Sequence, residues 1–220
     1  MQTKRLIGFT IAEVLITICI IGIIAEIILP GVIATTEKQI AVSRVKETYS
    51  MLSQATNTIN NNCGGGISYC LSTPNAGDND STARNAVAVI YKKLFSVVKD
   101  CTDGATTKCF PNVAVKYLRD YPFDWNNLAT ASFVDNASFV LKNGTVIGFD
   151  WDNNGTYYFT IDVDINGNQG PNRMGKDVFF FVYDMKTKTI ISFPTNDCTT
   201  SDWGQGCAAK ILKDGAINYY

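Results

Sequence analysis

An apolar run of membrane length near the N-terminus constrains this chain more than anything else in it. Phe9 to Leu29 is 21 residues, broken by the carboxylates of Glu13 and Glu26. At about 1.5 Å per residue a helix of that length reaches roughly 30 Å, the thickness of a bilayer core. An acidic side chain in such a helix costs about 2.5–3.5 kcal/mol at mid-membrane and less near an end, and by default marks a functional position. Three readings compete. A cleavable secretory signal fits Lys4 and Arg5 as its positive start, but the run is too long and "GVIATTEK" supplies no small-x-small cleavage site. A plain signal anchor keeps Lys4 and Arg5 inside and everything after Pro30 outside, and gives Glu13 nothing to do. The third reading uses the carboxylate. A cut between Gly8 and Phe9 creates an α-amino group on Phe9, one helical turn from Glu13. In staggered identical helices, Glu13 of one then meets the N-terminus of its neighbour, which pairs the buried charge and sets the register of assembly.

The stretch "GFTIAEVLITICIIGIIAEIILP" resembles the N-terminus of type IV pilins and of type II secretion pseudopilins. The resemblance rests on Gly8 before Phe9, then Thr10, Glu13 and Leu15-Ile16, with Gly22 and Pro30 at the separations where that family carries a helix-weakening glycine and proline. It covers about 25 residues. It implies that a prepilin peptidase cuts after Gly8 and methylates the amine of Phe9, that Glu13 is the assembly carboxylate, and that the helix loosens between Gly22 and Pro30 in a filament. Residues 1–8 would then be a leader, 9–30 the membrane and assembly helix, and 31–220 a pilin-like head outside a bacterial cytoplasmic membrane. The implied partners are the peptidase, identical and related subunits, and a membrane assembly platform. Ala12 stands where the family more often has a larger aliphatic residue. Glu26 lies roughly 140° around the helix from Glu13, so the two do not share a face, and it is expected to snorkel to the outer interface.

Composition narrows the rest. Net charge is −1, so no basic surface points to nucleic acid, and histidine is absent, which removes Ser-His-Asp and Cys-His nucleophile systems. No residue pattern supports an enzyme. Cys19 lies in the apolar run. The other six cysteines, Cys63, Cys70, Cys101, Cys109, Cys198 and Cys207, form neighbour pairs at separations of 7, 8 and 9 within loop-like sequence. Six loop cysteines without CxxC spacing read as a disulfide framework in an oxidising compartment, with neighbour pairing the simplest connectivity.

After the span, Ile40, Val45, Tyr49, Leu52, Ala55 and Ile59 recur at helical spacing, an amphipathic continuation of the first helix that fades at "NNNCGGG". A loop is expected to Arg84, then a short second helix with Val87, Ile90, Tyr91, Leu94, Phe95 and Val98 on one stripe. Beyond Asn136 the period becomes two. Asn143-Gly144 predicts a type I′ hairpin, Asn154-Gly155 repeats the device, and "DVFFFVYDMKTKTIISF" supplies two strands about a turn near Met185–Lys188. Helices followed by four or five antiparallel strands predict an α+β fold. The pilin resemblance implies the same layout, with a C-terminal antiparallel sheet packed on the long helix and a loop closed by Cys198 and Cys207 near the end. Tyr219-Tyr220 reads as an exposed aromatic pair.

One loop concentrates oxygen donors: Asp162, Asp164, Asn166, Asn168 and Asp177 within "DVDINGNQGPNRMGKD". Asp162-x-Asp164-x-Asn166-Gly167 matches the first half of an EF-hand loop, but Arg173 stands where a bidentate Glu is required, and no flanking helices are expected. Carboxylates and amides without nitrogen or sulfur suit a hard cation such as Ca²⁺; the alternative is a hairpin connection rich in turn formers. The loop is similar to the calcium-binding loop of major pseudopilins. A second Asp150-x-Asp152-x-Asn154-Gly155 reads as a tight hairpin. Two functions from different classes follow. The first is a structural subunit of a type II secretion pseudopilus or a type IV pilus. The second is a membrane-anchored binding module that does not polymerise. The acidic loop favours a pseudopilus, and the C-terminal cysteine loop and larger head favour a pilus.

Overall fold

The computed structural model describes residues 8, 10–72, 80–102, 109–110, 115–119, 137–151, 156–167 and 169–220. The chain divides into two compact units, 1–40 and 41–220. Among the described residues the layout is α+β: one long N-terminal helix, a second helix, six strands and a short C-terminal helix.

In the first unit, helix α1 (Ile11–Asn62) begins its course, with its large apolar side chains from Ile11 to Ile33 exposed. Among the described residues it is the one helix long and apolar enough to cross a membrane. Its hydroxyls are satisfied within the helix: Thr17 donates to the Val14 carbonyl, Thr35 to Gly31 and Thr36 to Val32. The helix runs unbroken past Gly22 and Pro30, although Pro30 cannot donate to the Glu26 carbonyl.

In the second unit the remaining part of α1 turns one stripe inward. Val45, Leu52, Ala55 and Ile59 are buried and Tyr49 is half-buried. The helix ends at a glycine turn and a single 3-10 turn, Ile67–Cys70. Helix α2 (Ser81–Lys92) begins three residues before the predicted loop end, because the Asp80 carboxylate accepts the Ala83 N–H at 2.8 Å and caps it. It stops at Lys92, short of the predicted stripe. Leu94 and Val98 leave the core, Val98 being 64% exposed, and the β-branched pair Val97-Val98 instead opens strand β1 (Val97–Cys101). That strand raises the count to six, beyond the four or five expected. It is followed by β2 (Ala137–Leu141), β3 (Val146–Trp151), β4 (Tyr157–Asp164), β5 (Val178–Asp184) and β6 (Thr189–Ser192), all antiparallel in the order β1-β2-β3-β4-β5-β6.

The β2–β3 turn is not type I′. Gly144 alone has positive φ, at 87°; its N–H donates to the Leu141 carbonyl at 2.9 Å and Leu141 N–H donates to Thr145 at 2.8 Å. This is a three-residue loop with glycine at the left-handed position, which leaves Asn143 in ordinary backbone. The Asn154-Gly155 turn lies outside the described residues.

Alternation along the strands separates two apolar clusters. Phe139, Ile147, Phe149, Trp151, Phe159, Ile161, Val163, Phe179, Phe181 and Tyr183 face the cluster that contains α1 and α2. Val146, Val178 and Phe180 face a second cluster with Cys101, Phe110, Val115, Tyr117 and Met174. Burial on both faces explains why "VFFFVY" reads as a continuous apolar run instead of alternating. Polar side chains pin the helix to the sheet: Asn60 accepts from Ile67 N–H and Tyr183 OH and donates to the Lys188 carbonyl. Thr56 and Tyr91 share a buried hydroxyl pair at 2.5 Å, and burial raises the Tyr91 hydroxyl pKa well above its ordinary range. Because Thr56 also donates to the Leu52 carbonyl, Tyr91→Phe strands no donor there. It is expected to lower stability by about 0.5–1.5 kcal/mol in a denaturant titration with unchanged m-value.

Three disulfides join Cys63 to Cys70, Cys101 to Cys109 and Cys198 to Cys207, and Cys19 is free and exposed. Cys207 opens a helix absent from the sequence reading, α3 (Cys207–Asp214), closed by Gly215 in the left-handed region at φ 70°. Tyr219 is buried, not exposed, and its hydroxyl donates to the Gly175 carbonyl at 2.5 Å.

Candidate functional site

Two places in the chain carry chemistry that packing does not require. The first is the opening turn of α1. Thr10 N–H donates to Glu13 Oε2 at 2.8 Å, the Thr10 hydroxyl donates to the same oxygen at 2.7 Å, and Glu13 N–H donates to the Thr10 hydroxyl at 3.2 Å. This is a capping box, in which residues three apart satisfy each other's orphan donors. Thr10-Ile-Ala-Glu13 is its T-x-x-E signature, so this local partner of Glu13 is legible in the sequence and stands beside the intermolecular partner expected for the carboxylate. Among the described residues every bond to the carboxylate falls on Oε2, and the side chain is exposed. Gly8 is exposed as well, while Phe9 lies outside the described residues. Gly22, Glu26 and Pro30 occupy exposed positions along the same helix.

The second place is the connection from β4 to β5. Asp164 closes β4 and is fully buried; Asp177, immediately before β5, is 2% exposed. The strands pair Asp164 with Val178, and Ile165 N–H donates to the Asp177 carbonyl at 2.9 Å, so the two carboxylates flank one end of the ladder. Asp164 Oδ1 accepts the N–H groups of Asn166 and Gly167 at 3.1 and 2.8 Å. Asp177 accepts Arg173 N–H on Oδ1 at 2.6 Å and Asn172 N–H on Oδ2 at 2.7 Å. Burial, and then the charge of Asp177, push Asp164 up to about 8; burial raises Asp177 as well. Neither takes part in an ion pair among the described residues.

Compared with known proteins, the chain matches no family model, no curated protein and no solved structure. The two sites therefore rest on their own geometry.

That geometry is unfinished at the turn. Asp164 Oδ2, Asn166 Oδ1 and Asn172 Oδ1 are buried with no hydrogen-bond partner, and each such orphan costs about 1–3 kcal/mol. The two aspartates and the unpaired amide oxygens of Asn166 and Asn172 offer oxygen donors only, the chemistry that suits a hard divalent cation. No group of three or more Asp, Glu, His or Cys side chains converges among the described residues, so amide oxygens would have to complete the shell. Of the residues singled out in the sequence, Asp164, Asn166 and Asp177 come together, the Asn166 amide bonding Asp177. Asp162 sits two residues back on the same strand face, paired with Gly148 and Phe180. Asn168 lies outside the described residues. Asn172 was missed; it follows a cis Gly170-Pro171 bond with φ 50°, and only the folded turn carries it back to Asp177. Gly167 has φ 63°, and a Cβ there would stand 3.0 Å from the Gly144 carbonyl, so the turn needs glycine at this point. In the second acidic pattern Asp150 pairs with Arg84 at 3.4 Å, and Asp152 and Asn154 lie outside the described residues.

Proposed function

We propose that this chain is a filament subunit of the pilin or pseudopilin class, held in a bacterial cytoplasmic membrane by α1 and polymerised through it. The observation that carries the reading is the opening of α1: an exposed glycine, a capping threonine and a carboxylate, at the head of an apolar helix whose surface is uncovered. In water such a surface is unstable; in lipid it is solvated, and side by side with copies of itself it is buried. Gly8–Phe9 is the processing bond for a prepilin peptidase. Glu13 is the assembly carboxylate, with one oxygen still free for the amine of a neighbouring Phe9, and the head presents its disulfide-stapled surface outward.

The turn at Asp164, Asn166, Asn172 and Asp177 is the proposed cation site, with Ca²⁺ the ion that best suits buried carboxylate and amide oxygens. It supports a pseudopilus, and the Cys198–Cys207 bridge supports a pilus; both machines share the assembly mechanism. The test is the mass and N-terminal sequence of the mature protein from cells with and without the peptidase. A chain beginning at Phe9 and heavier by one methyl group is expected only where the peptidase is present. An intact Met1 in both strains, or a cut beyond Pro30, overturns the filament reading and leaves a membrane-anchored module.

A further inference from the structure

We propose that Arg44 of α1 is a positioning residue for the cation turn, coupling its occupancy to the helix. The inference rests on reading that turn as a cation site and adds what the helix contributes. Arg44 Nη1 donates to the Ile165 carbonyl at 2.6 Å. Ile165 stands between Asp164 and Asn166, and its own N–H is held by the Asp177 carbonyl at 2.9 Å. The Ile165 carbonyl and the Asn166 N–H belong to one planar peptide group. That N–H is one of the two donors to Asp164 Oδ1. A continuous line therefore runs from the guanidinium through a single peptide to the carboxylate.

Two physical consequences follow. A charged donor on the carbonyl polarises the peptide and strengthens the bond its N–H makes to Asp164. The bond also fixes the plane of the peptide, and with it which Asp164 oxygen is occupied by backbone and which, Oδ2, is left without a partner. Arg44 makes its bond to a carbonyl and not to either carboxylate, so it occupies no carboxylate oxygen. Holding a ligand set in its bound arrangement raises affinity by removing ordering cost. The coupling is reciprocal: an ion that closes the turn also holds Ile165 on α1.

The experiment is calorimetric titration of Ca²⁺ into the full chain in detergent, with thermal unfolding in Ca²⁺ and in EGTA. Arg44→Gln is expected to weaken Ca²⁺ binding about tenfold and to shrink the Ca²⁺-induced rise in Tm. Arg44→Lys, which keeps a charged donor, should recover part of the loss. The sign is informative, because removing a positive charge without any positioning role would tighten binding of a cation. Unchanged or tighter binding in Arg44→Gln overturns the coupling while the cation site stands. Absence of Ca²⁺ binding in the wild-type chain overturns the site itself. Should the glutamine variant not fold, Arg44→Met takes its place: weaker Ca²⁺ binding than wild type supports the coupling, and unchanged or tighter binding overturns it.

Discussion

Glu13→Ala is expected to stay in the membrane, to be cut after Gly8, and to be absent from filaments sheared from the cell. Removing an acidic side chain from an apolar helix eases insertion by up to about 2.5–3.5 kcal/mol, so lost assembly would not reflect lost membrane residence. The capping box sharpens the test. If Glu13 served only its own helix, through the bond from Thr10 N–H at 2.8 Å, Glu13→Gln would be nearly silent, since a glutamine oxygen accepts the same bond. If the carboxylate pairs with a neighbouring amine, Glu13→Gln must fail almost as completely as alanine, because an unpaired amine in a dry interface is strongly unfavourable. Filament yield in the two variants, quantified beside total membrane-bound subunit, separates these cases. Wild-type yield with glutamine would reduce Glu13 to a cap and sink its assembly role.

Calcium at 100 times its Kd is expected to stabilise the full chain by about 2.7 kcal/mol. That corresponds to roughly 5–11 °C in Tm for a chain of this size, with EGTA abolishing the gain. The gain should depend on pH in a definite direction. Without a cation, Asp164 holds its proton to about 8, whereas an unfolded aspartate releases it near ~3.9. Between those values the unfolded chain binds fewer protons than the folded one, so metal-free stability falls as pH rises through that window. A bound divalent ion needs both carboxylates ionised and removes the repulsion, so the calcium-dependent gain grows over the same range. Asp164→Asn keeps an acceptor for the Asn166 and Gly167 N–H groups and discards the charge. It should raise metal-free stability near pH 8 and lose the response to calcium. Identical thermal scans in calcium and EGTA from pH 5 to 8 would show that the turn is only a turn.

Local periodicity made much of this chain readable in advance. The apolar stripe of α1 follows from a spacing of 3.6, which one face of burial imposes directly on sequence, and β2 to β6 stand out as β-rich runs between turn residues, β5 as a continuous apolar run because both its faces are buried. The failures sit where two local signals compete. Leu94 and Val98 keep helical spacing with Val87 and Tyr91, yet the chain leaves the helix at Lys92 because Val97 and, past a bulge at Val98, Lys99 to Cys101 find a partner strand in β2. That partner lies some forty residues downstream, and no local window contains it. Helix α3 is too short for its stripe to stand out, although Gly215 after Lys213 was a readable stop.

The sequence by itself determined the membrane-length helix, the acidic residue at its head, the six cysteines outside it as a disulfide set, and the helix-then-strand order. Each of these depends on residue type at close spacing, and so on energies that act within a few residues. Tertiary structure decided what the acidic loop amounts to. It buried Asp164 and Asp177 against each other, recruited Asn172 across the turn, left three oxygens without partners, and brought Arg44 from 121 residues away onto Ile165. Burial and like-charge proximity are properties of the packed chain, because desolvation depends on what surrounds a group and not on which residues adjoin it in sequence.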